Sequence, residues 1–83
     1  MYTVYVIFNK ERNKIYIGQT ANLEERIEMH NNGAFKKSFT YKQKGTWILI
    51  YKEECIDRLS ALKREKQLKS YRGREFVKKF IPL

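Results

Sequence analysis

Five side chains in this sequence have types and spacings that could do chemistry. Arg26 and His30 are four residues apart. At helical spacing they share one face, between Leu23 and Met29, while Glu24, Glu25 and Glu28 cluster opposite. That face looks toward the core or a cleft beside it, and an arginine there calls for an anion. Glu65 is the converse case, a carboxylate near the middle of a helical arc formed by Leu59, Ala61, Leu62 and Leu68. A carboxylate on the core side is costly unless something positive meets it. Spacing alone fits a metal ion and an ion pair with a lysine or arginine, Arg26 among them, equally well. Tyr5 and Tyr16 join the group through a hairpin. With a loop over residues 10–13, Ile7 faces Tyr16 and Tyr5 faces Gly18. The two tyrosines then lie diagonally on one sheet face, with open space over Gly18. A one-residue shift would part them, and strand tyrosines are often only packing.

The charge distribution suggests which anion is met. The chain has 83 residues, 18 basic and 9 acidic, for a net charge of +9. Residues 1–33 hold four basic and four acidic residues, so the whole excess lies in residues 34–83. Clustered positive charge is the footprint of nucleic-acid binding; a lysine-rich solvated surface is the bland alternative. Acidic proteins are poor partners for such a chain. The longest nearly unbroken apolar stretch, residues 4–8, is far too short to span a bilayer, and no membrane role is expected. No secretory leader pattern precedes the first strand-like run. The single cysteine, Cys55, excludes an internal disulfide framework and a multi-cysteine zinc site, and reads as a packed thiol. These features point to the cytoplasm. Hydrophobic content of 42% is enough for one packed core, so residues 1–83 read as one domain.

The elements that must position the five residues follow from periodicity. Residues 2–8 alternate and are rich in β-branched and aromatic types, which predicts a strand. Residues 15–20 predict the second. Asn22 is an N-cap, with Glu25 completing a capping box, for a helix to about Asn32 that Gly33 ends. Residues 34–45 form a basic, aromatic loop. Residues 46–53 predict a third strand, apolar enough to be central and covered on both faces. Asp57 caps a second helix to about Tyr71, Gly73 breaks it, and residues 75–80 form a short last helix before Pro82. The expected fold is α+β, a small three-stranded antiparallel sheet flanked by helices in the order β-β-α-β-α-α.

These pieces together resemble the GIY-YIG nuclease superfamily. Thr3-Val4-Tyr5 and Tyr16-Ile17-Gly18 match the two name-giving motifs. The match continues through Gly18-Gln19-Thr20, then Leu23 with Arg26 and His30, then Ala61-Leu62 with Glu65. The run Arg64-Glu65-Lys66-Gln67-Leu68-Lys69 looks like the small stand-alone bacterial members related to the N-terminal nuclease domain of an excinuclease. The resemblance implies metal-dependent cleavage of a nucleic-acid phosphodiester, with DNA favoured over RNA. It implies that Glu65 holds one Mg²⁺ or Mn²⁺ and that Arg26 contacts the scissile phosphate. Tyr5 and Tyr16 would activate or position the attacking water, with His30 bonding a tyrosine or the phosphate.

Elementary chemistry agrees with that assignment. Phosphodiester hydrolysis needs charge neutralised on the phosphoryl oxygens, a deprotonated nucleophile and a stabilised leaving oxygen. Arg26 can supply bidentate positive charge, and Glu65 can hold a hard cation. Tyrosine is a poor base unless nearby positive charge favours phenolate, which Arg26 and a metal would do. Lys36, Lys37, Lys42 and Lys44 interleave with Phe35, Phe39, Tyr41 and Trp47. That pattern fits phosphate contacts with base stacking, and it equally fits aromatics pinning a loop to the sheet. Lys63, Lys66, Lys69, Arg72, Arg74, Lys78 and Lys79 are expected to meet phosphates. No base-reading constellation is visible, so sequence preference should be weak. The chain departs from the family in two ways. Its first motif begins Thr-Val, and no asparagine follows the glutamate helix, where many members carry a supporting one. It also has no appended specificity domain, so a protein partner or self-association would supply any selectivity. The competing reading is a nucleic-acid-binding module with a vestigial site. Binding alone, however, needs none of Tyr5, Tyr16, Arg26 and Glu65.

Overall fold

The computed structural model describes residues 1–31 and 46–82. The elements are β1 (Tyr2–Asn9), β2 (Lys14–Thr20), α1 (Leu23–Asn31), β3 (Trp47–Cys55), α2 (Arg58–Lys69) and α3 (Tyr71–Lys78). Element order and α+β class are those expected from the sequence. Strand centrality is not. The sheet order is β2-β1-β3, both pairs antiparallel, so β1 is the middle strand and β3 lies at an edge. Ile48 and Leu49 are exposed there. Apolar composition reports burial propensity, whereas centrality depends on which strands pair. β1 has its hairpin partner on one side and β3 on the other. Its residues 4–9 are accordingly all buried.

Alternation along β1 assigns the two faces. Val4 and Val6, with Ile17, meet Ala61 and Leu68 of α2 and Val77 of α3. Tyr5 and Ile7, with Trp47, meet Leu23 and Ile27 of α1. Each fully buried aliphatic side chain contributes about 1.5–3 kcal/mol, so the central strand ties both helical layers to the sheet. The β1–β3 register steps from Val6 opposite Tyr51 to Ile7 opposite Leu49. Ile50 is the extra residue of a bulge, a local increase in strand twist.

The hairpin has the predicted register. Asn9 pairs with Lys14, Ile7 with Tyr16 and Tyr5 with Gly18. The buried Asn9 carboxamide accepts from the Arg12 amide at 3.1 Å, and Asn13 takes the left-handed conformation (φ 53°) that asparagine tolerates. The Asn22 cap also forms, the Glu25 amide donating to Asn22 Oδ1 at 3.2 Å. The Glu25 carboxylate accepts from Asn22 Nδ2 (3.3 Å) and not from the Asn22 backbone amide of a full capping box, which donates to Thr20 Oγ1 at 3.1 Å. At the other end of α1, Asn31 acts as a clip. Its Nδ2 donates to the Trp47 carbonyl (3.1 Å) and its Oδ1 accepts the Trp47 amide (2.7 Å), joining α1 to the start of β3.

The helical corner differs from expectation in two places. The apolar arc of α2 is narrower: Ala61 and Leu68 are buried, whereas Leu59 and Leu62 are exposed. A three-membered polar link does the remaining work on that side. Arg64 Nε sits 3.0 Å from Glu53 Oε2, which also accepts from the Tyr51 hydroxyl at 2.8 Å. The Tyr51 ring packs against Phe76 and Phe80 of the C-terminal segment. Second, the chain breaks at Ser70, not Gly73. Ser70 has extended backbone (φ −69°, ψ 167°) and serves both helices. Its Oγ donates to the Gln67 carbonyl at 2.6 Å and accepts the Gly73 amide at 3.2 Å.

Gly73 lies inside α3 for a packing reason. A Cβ there would collide with the Gln67 carbonyl oxygen and the Leu68 backbone, neither of which is a flexible side-chain tip. Helix propensity alone says Gly73→Ala should stabilise by about 1 kcal/mol. The collision should win, because forcing backbones apart costs about 1–3 kcal/mol. Gly73→Ala is therefore expected to lower the melting temperature by several degrees. A melting curve unchanged or shifted upward would show that the α2–α3 corner relaxes freely.

Candidate active site

The residues expected to do chemistry converge on the α1 side of the sheet. Tyr5 is held by the central strand and is 1% exposed. Its hydroxyl is 2.8 Å from His30 Nε2 in the last turn of α1. Tyr16 reaches the same spot from β2, its ring centroid 4.8 Å from His30 and 6.3 Å from Tyr5. Three rings meet there because Gly18 leaves the room. A Cβ at Gly18 would stand 2.7 Å from Tyr5 Oη and 3.1 Å from Tyr16 Cε2. The arginine and the glutamate are also in reach. The charges of Arg26 and Glu65 both act on the Tyr5 hydroxyl, and that of Arg26 on His30.

Electrostatics fix the protonation states. Burial pushes the Tyr5 pKa well up, and neighbouring Tyr16 adds to the shift; Arg26 opposes it and Glu65 reinforces it. With these groups alone Tyr5 is a protonated phenol, although Arg26 acts in the expected direction, toward phenolate. One arginine does not outweigh desolvation. His30 is pushed down to about 4, first by burial and then by the Arg26 charge. A neutral imidazole and a protonated phenol at 2.8 Å share the bond in a sense set by the ring tautomer. With the ring proton on Nδ1, the Tyr5 hydroxyl donates and Nε2 accepts.

Glu65 is placed differently from the middle of an apolar arc. Its side chain is 20% exposed, and its Oε2 is 2.7 Å from Lys69 Nζ, one turn on. An ion pair is present at this carboxylate, with Lys69 as the partner. The pairing follows favourable helical order, glutamate four residues before lysine. No cluster of three or more His, Cys, Asp or Glu side chains suited to a metal occurs among the described residues. Among the described residues, a cation at Glu65 would therefore have fewer than three such side chains, leaving positions for water and substrate oxygens.

The remaining expected residues divide. Lys63, Lys66, Arg72 and Arg74 are exposed on α2 and α3. Lys36, Lys37, Lys42 and Lys44, with Phe35, Phe39 and Tyr41, lie outside the described residues. Trp47 is buried, so for that aromatic the pinning reading holds. One residue escaped the sequence reading. Lys14, in the neutral part of the chain, lines a groove together with Tyr16, Lys69 and Arg74. The signal was present in the hairpin register, which puts Lys14 at the head of an edge strand two residues from Tyr16.

Comparison with known proteins bears on this geometry. The family profile described as the GIY-YIG catalytic domain matches residues 1–79. The chain belongs to the GIY-YIG family. That places it among nucleases and makes nucleic acid the class of substrate the family acts on. A UPF0213 protein of Desulfotalea psychrophila is 40% identical over 67 residues, covering 77% of this chain and 60% of its own length. One from Staphylococcus haemolyticus is 33% identical over 75 residues, covering 90% and 88%. The solution NMR structure of a UPF0213 protein from Bacillus halodurans superposes with a TM-score of 0.53 at 25% identity, covering 93% of this chain and 82% of that one. This chain thus spans about 60% of the Desulfotalea relative and most of the other two. No helix among the described residues is long and apolar enough to cross a membrane.

The buried His30 makes a pH prediction. The unfolded chain takes up a proton near pH 6.5, whereas folded His30 resists it until about pH 4. Between these values the unfolded state binds more protons, so folding stability falls as pH falls, by about 2–3 kcal/mol across the window. NMR titration of the His30 ring should show no protonation above pH 5. Urea denaturation should show less acid loss in His30→Gln than in the parent. A His30 midpoint near 6.5 would mean that the ring is not enclosed with Tyr5.

Proposed function

We propose that the chain is a metal-dependent endonuclease that hydrolyses phosphodiester bonds in DNA, with little sequence preference. The observation that carries this reading is the Tyr5–His30 hydrogen bond at 2.8 Å, buried beside Tyr16 and within electrostatic reach of Arg26 and Glu65. A binding surface has no use for a protonated phenol aimed at a neutral imidazole.

The geometry suggests a two-proton relay. As the attacking water loses a proton to the Tyr5 oxygen, Tyr5 passes its own proton to His30 Nε2. Tyr5 ends neutral, His30 ends as imidazolium, and the hydroxide forms the new bond to phosphorus as the P–O bond to the leaving oxygen breaks, that oxygen taking its proton from solvent water. Arg26 would hold the phosphoryl oxygens with two donors. Its charge is one of the two causes of the low His30 pKa. A phosphate on Arg26 offsets that charge, so His30 becomes a better base when substrate is bound. Tyr16 packs on the His30 ring and keeps it turned toward Tyr5.

The donor set fits a hard divalent cation. Mg²⁺ keeps several waters and takes one or two carboxylates plus substrate phosphate, and Glu65 offers one partly exposed carboxylate. When bound, such a cation supplies Lewis-acid stabilisation of phosphoryl charge. Lys69 now covers one Glu65 oxygen and must yield it. Lys69→Met is therefore expected to tighten Mn²⁺ binding roughly two- to fivefold, the worth of a surface ion pair. Paramagnetic broadening of Glu65 amide neighbours would read this, and unchanged or weaker binding would exclude Glu65 as the ligand.

A second reading has one observation in its favour. The Glu65–Lys69 pair is what a nucleic-acid-binding module with a vestigial site would keep. Activity separates the two. Purified protein and Glu65→Ala should be incubated with plasmid, single-stranded, branched and RNA substrates in Mg²⁺, Mn²⁺ or EDTA. Metal-dependent nicking that falls by about 100-fold or more in the variant is the expected outcome. Binding without cutting by both proteins would establish the module.

A further inference from the structure

A groove of about 900 Å³ runs between the open edge of β2 and the α2–α3 corner. Among the described residues, four cationic side chains line it, Lys14, Lys69, Arg74 and Lys78, and no carboxylate does. Ile15, Ile17 and Ile81 provide apolar wall between them. Arg74 is held in place: its Nε donates to the Lys69 carbonyl at 3.1 Å, which leaves its terminal nitrogens for a ligand. Lys78 is only loosely engaged, 3.2 Å from Glu75 with both side chains more than half exposed.

Two residues of the groove lining also contact the candidate active site. Tyr16 lines it and also packs against His30. Lys69 lines it and also pairs with Glu65. Cations alternating with apolar wall suit a polymer with a charged backbone and flat apolar bases. An unpaired strand presents its bases to an apolar wall, whereas a duplex keeps them stacked and paired inside, so the lining favours a single strand.

We propose that this groove is the track for a single nucleic-acid strand leading to the bond at Tyr5 and Arg26. Lys14 and Lys78 grip its phosphates, and Ile15 and Ile81 pack against its sugars and bases. As a path to a cutting site it rests on the nuclease reading; as a binding surface it does not.

The test therefore measures binding without cleavage. Glu65→Ala protein in EDTA is titrated into fluorescein-labelled single-stranded and duplex oligonucleotides of equal length, with anisotropy as the readout. The single strand should bind more tightly than the duplex. Lys14→Ala/Lys78→Ala should weaken single-strand binding about tenfold. It should also reduce the slope of log affinity against log salt by about 1.4, two phosphate contacts at about 0.7 each. Lys10→Ala/Lys52→Ala, an equal charge change at exposed sites outside the groove, should alter it less than twofold. All four lysines are exposed, and unchanged circular dichroism would confirm folding. Tighter duplex binding, or equal losses in both double variants, would overturn the track. Single-strand binding with this pattern in a protein that cuts nothing would keep the track and remove the nuclease reading.

Discussion

The space above Gly18 is the constraint on which the site depends. Three rings, Tyr5, Tyr16 and His30, must converge over one strand residue that has no Cβ. Any side chain at that position would meet the Tyr5 oxygen at less than van der Waals distance. The hairpin register makes the convergence possible, since it sets Gly18 directly opposite Tyr5 and Tyr16 one diagonal step away. The Asn22 cap starts α1 at the right place, and the Asn31 clip fixes its far end to β3. His30, between those anchors, then has one place to go. A buried phenol–imidazole pair is expensive if half-made, because each unpaired partner retains its full desolvation penalty. Completing it gives a site whose groups are oriented before substrate arrives.

The strand that builds the site is packed on both faces. Val4 and Val6 of β1 are committed to the α2–α3 layer, and Tyr5 and Ile7 to α1. The site therefore shares its face with a second core cluster, Tyr5, Ile7 and Trp47, whereas the Val4–Val6 face is packing alone. The polar link Arg64–Glu53–Tyr51 lies at the β3 edge, where it ties α2 to the sheet. A change on the Val4–Val6 face acts on stability alone, while one on the Tyr5 face acts on stability and on the titrating groups together.

Features set by near neighbours in the chain are legible in the sequence. The hairpin register and the Asn22 cap depend on residues a few positions apart, and so does the shared face of Arg26 and His30. Turn length, capping chemistry and helical period suffice to read all three. Features set by distant partners are not legible in this way. Residues 46–53 are apolar enough for a central strand, yet the first strand takes that position because both others pair with it. Leu59 and Leu62 have core-like spacing, yet α2 is set by its corner with α3 so that only Ala61 and Leu68 are buried. Gly73 has the look of a breaker because glycine usually is one. Here it is a contact point, and Ser70, an ordinary polar residue in the string, makes the break. At the site, residue types are legible and protonation is not. Desolvation of Tyr5 and His30 depends on everything packed around them; at Tyr5 it outweighs the nearby arginine, and at His30 the arginine adds to it.

The net charge of +9 takes on a sharper meaning in this geometry. Divided by sequence position, the excess belongs wholly to residues 34–83, which suggests a chemical first half and a basic second half. Folding does not respect that division. The groove beside β2 combines Lys14 from the neutral half with Lys69, Arg74 and Lys78 from the basic half. Positive potential concentrated in a trough attracts a polyanion more strongly than the same charges spread over a convex surface, because low-dielectric walls focus the field. Lys69 then occupies a pivotal position, facing the groove while neutralising Glu65. If Glu65 holds a cation, that cation and a phosphate in the groove would both favour Lys69 off the carboxylate, so metal and nucleic acid would reinforce each other through this one side chain.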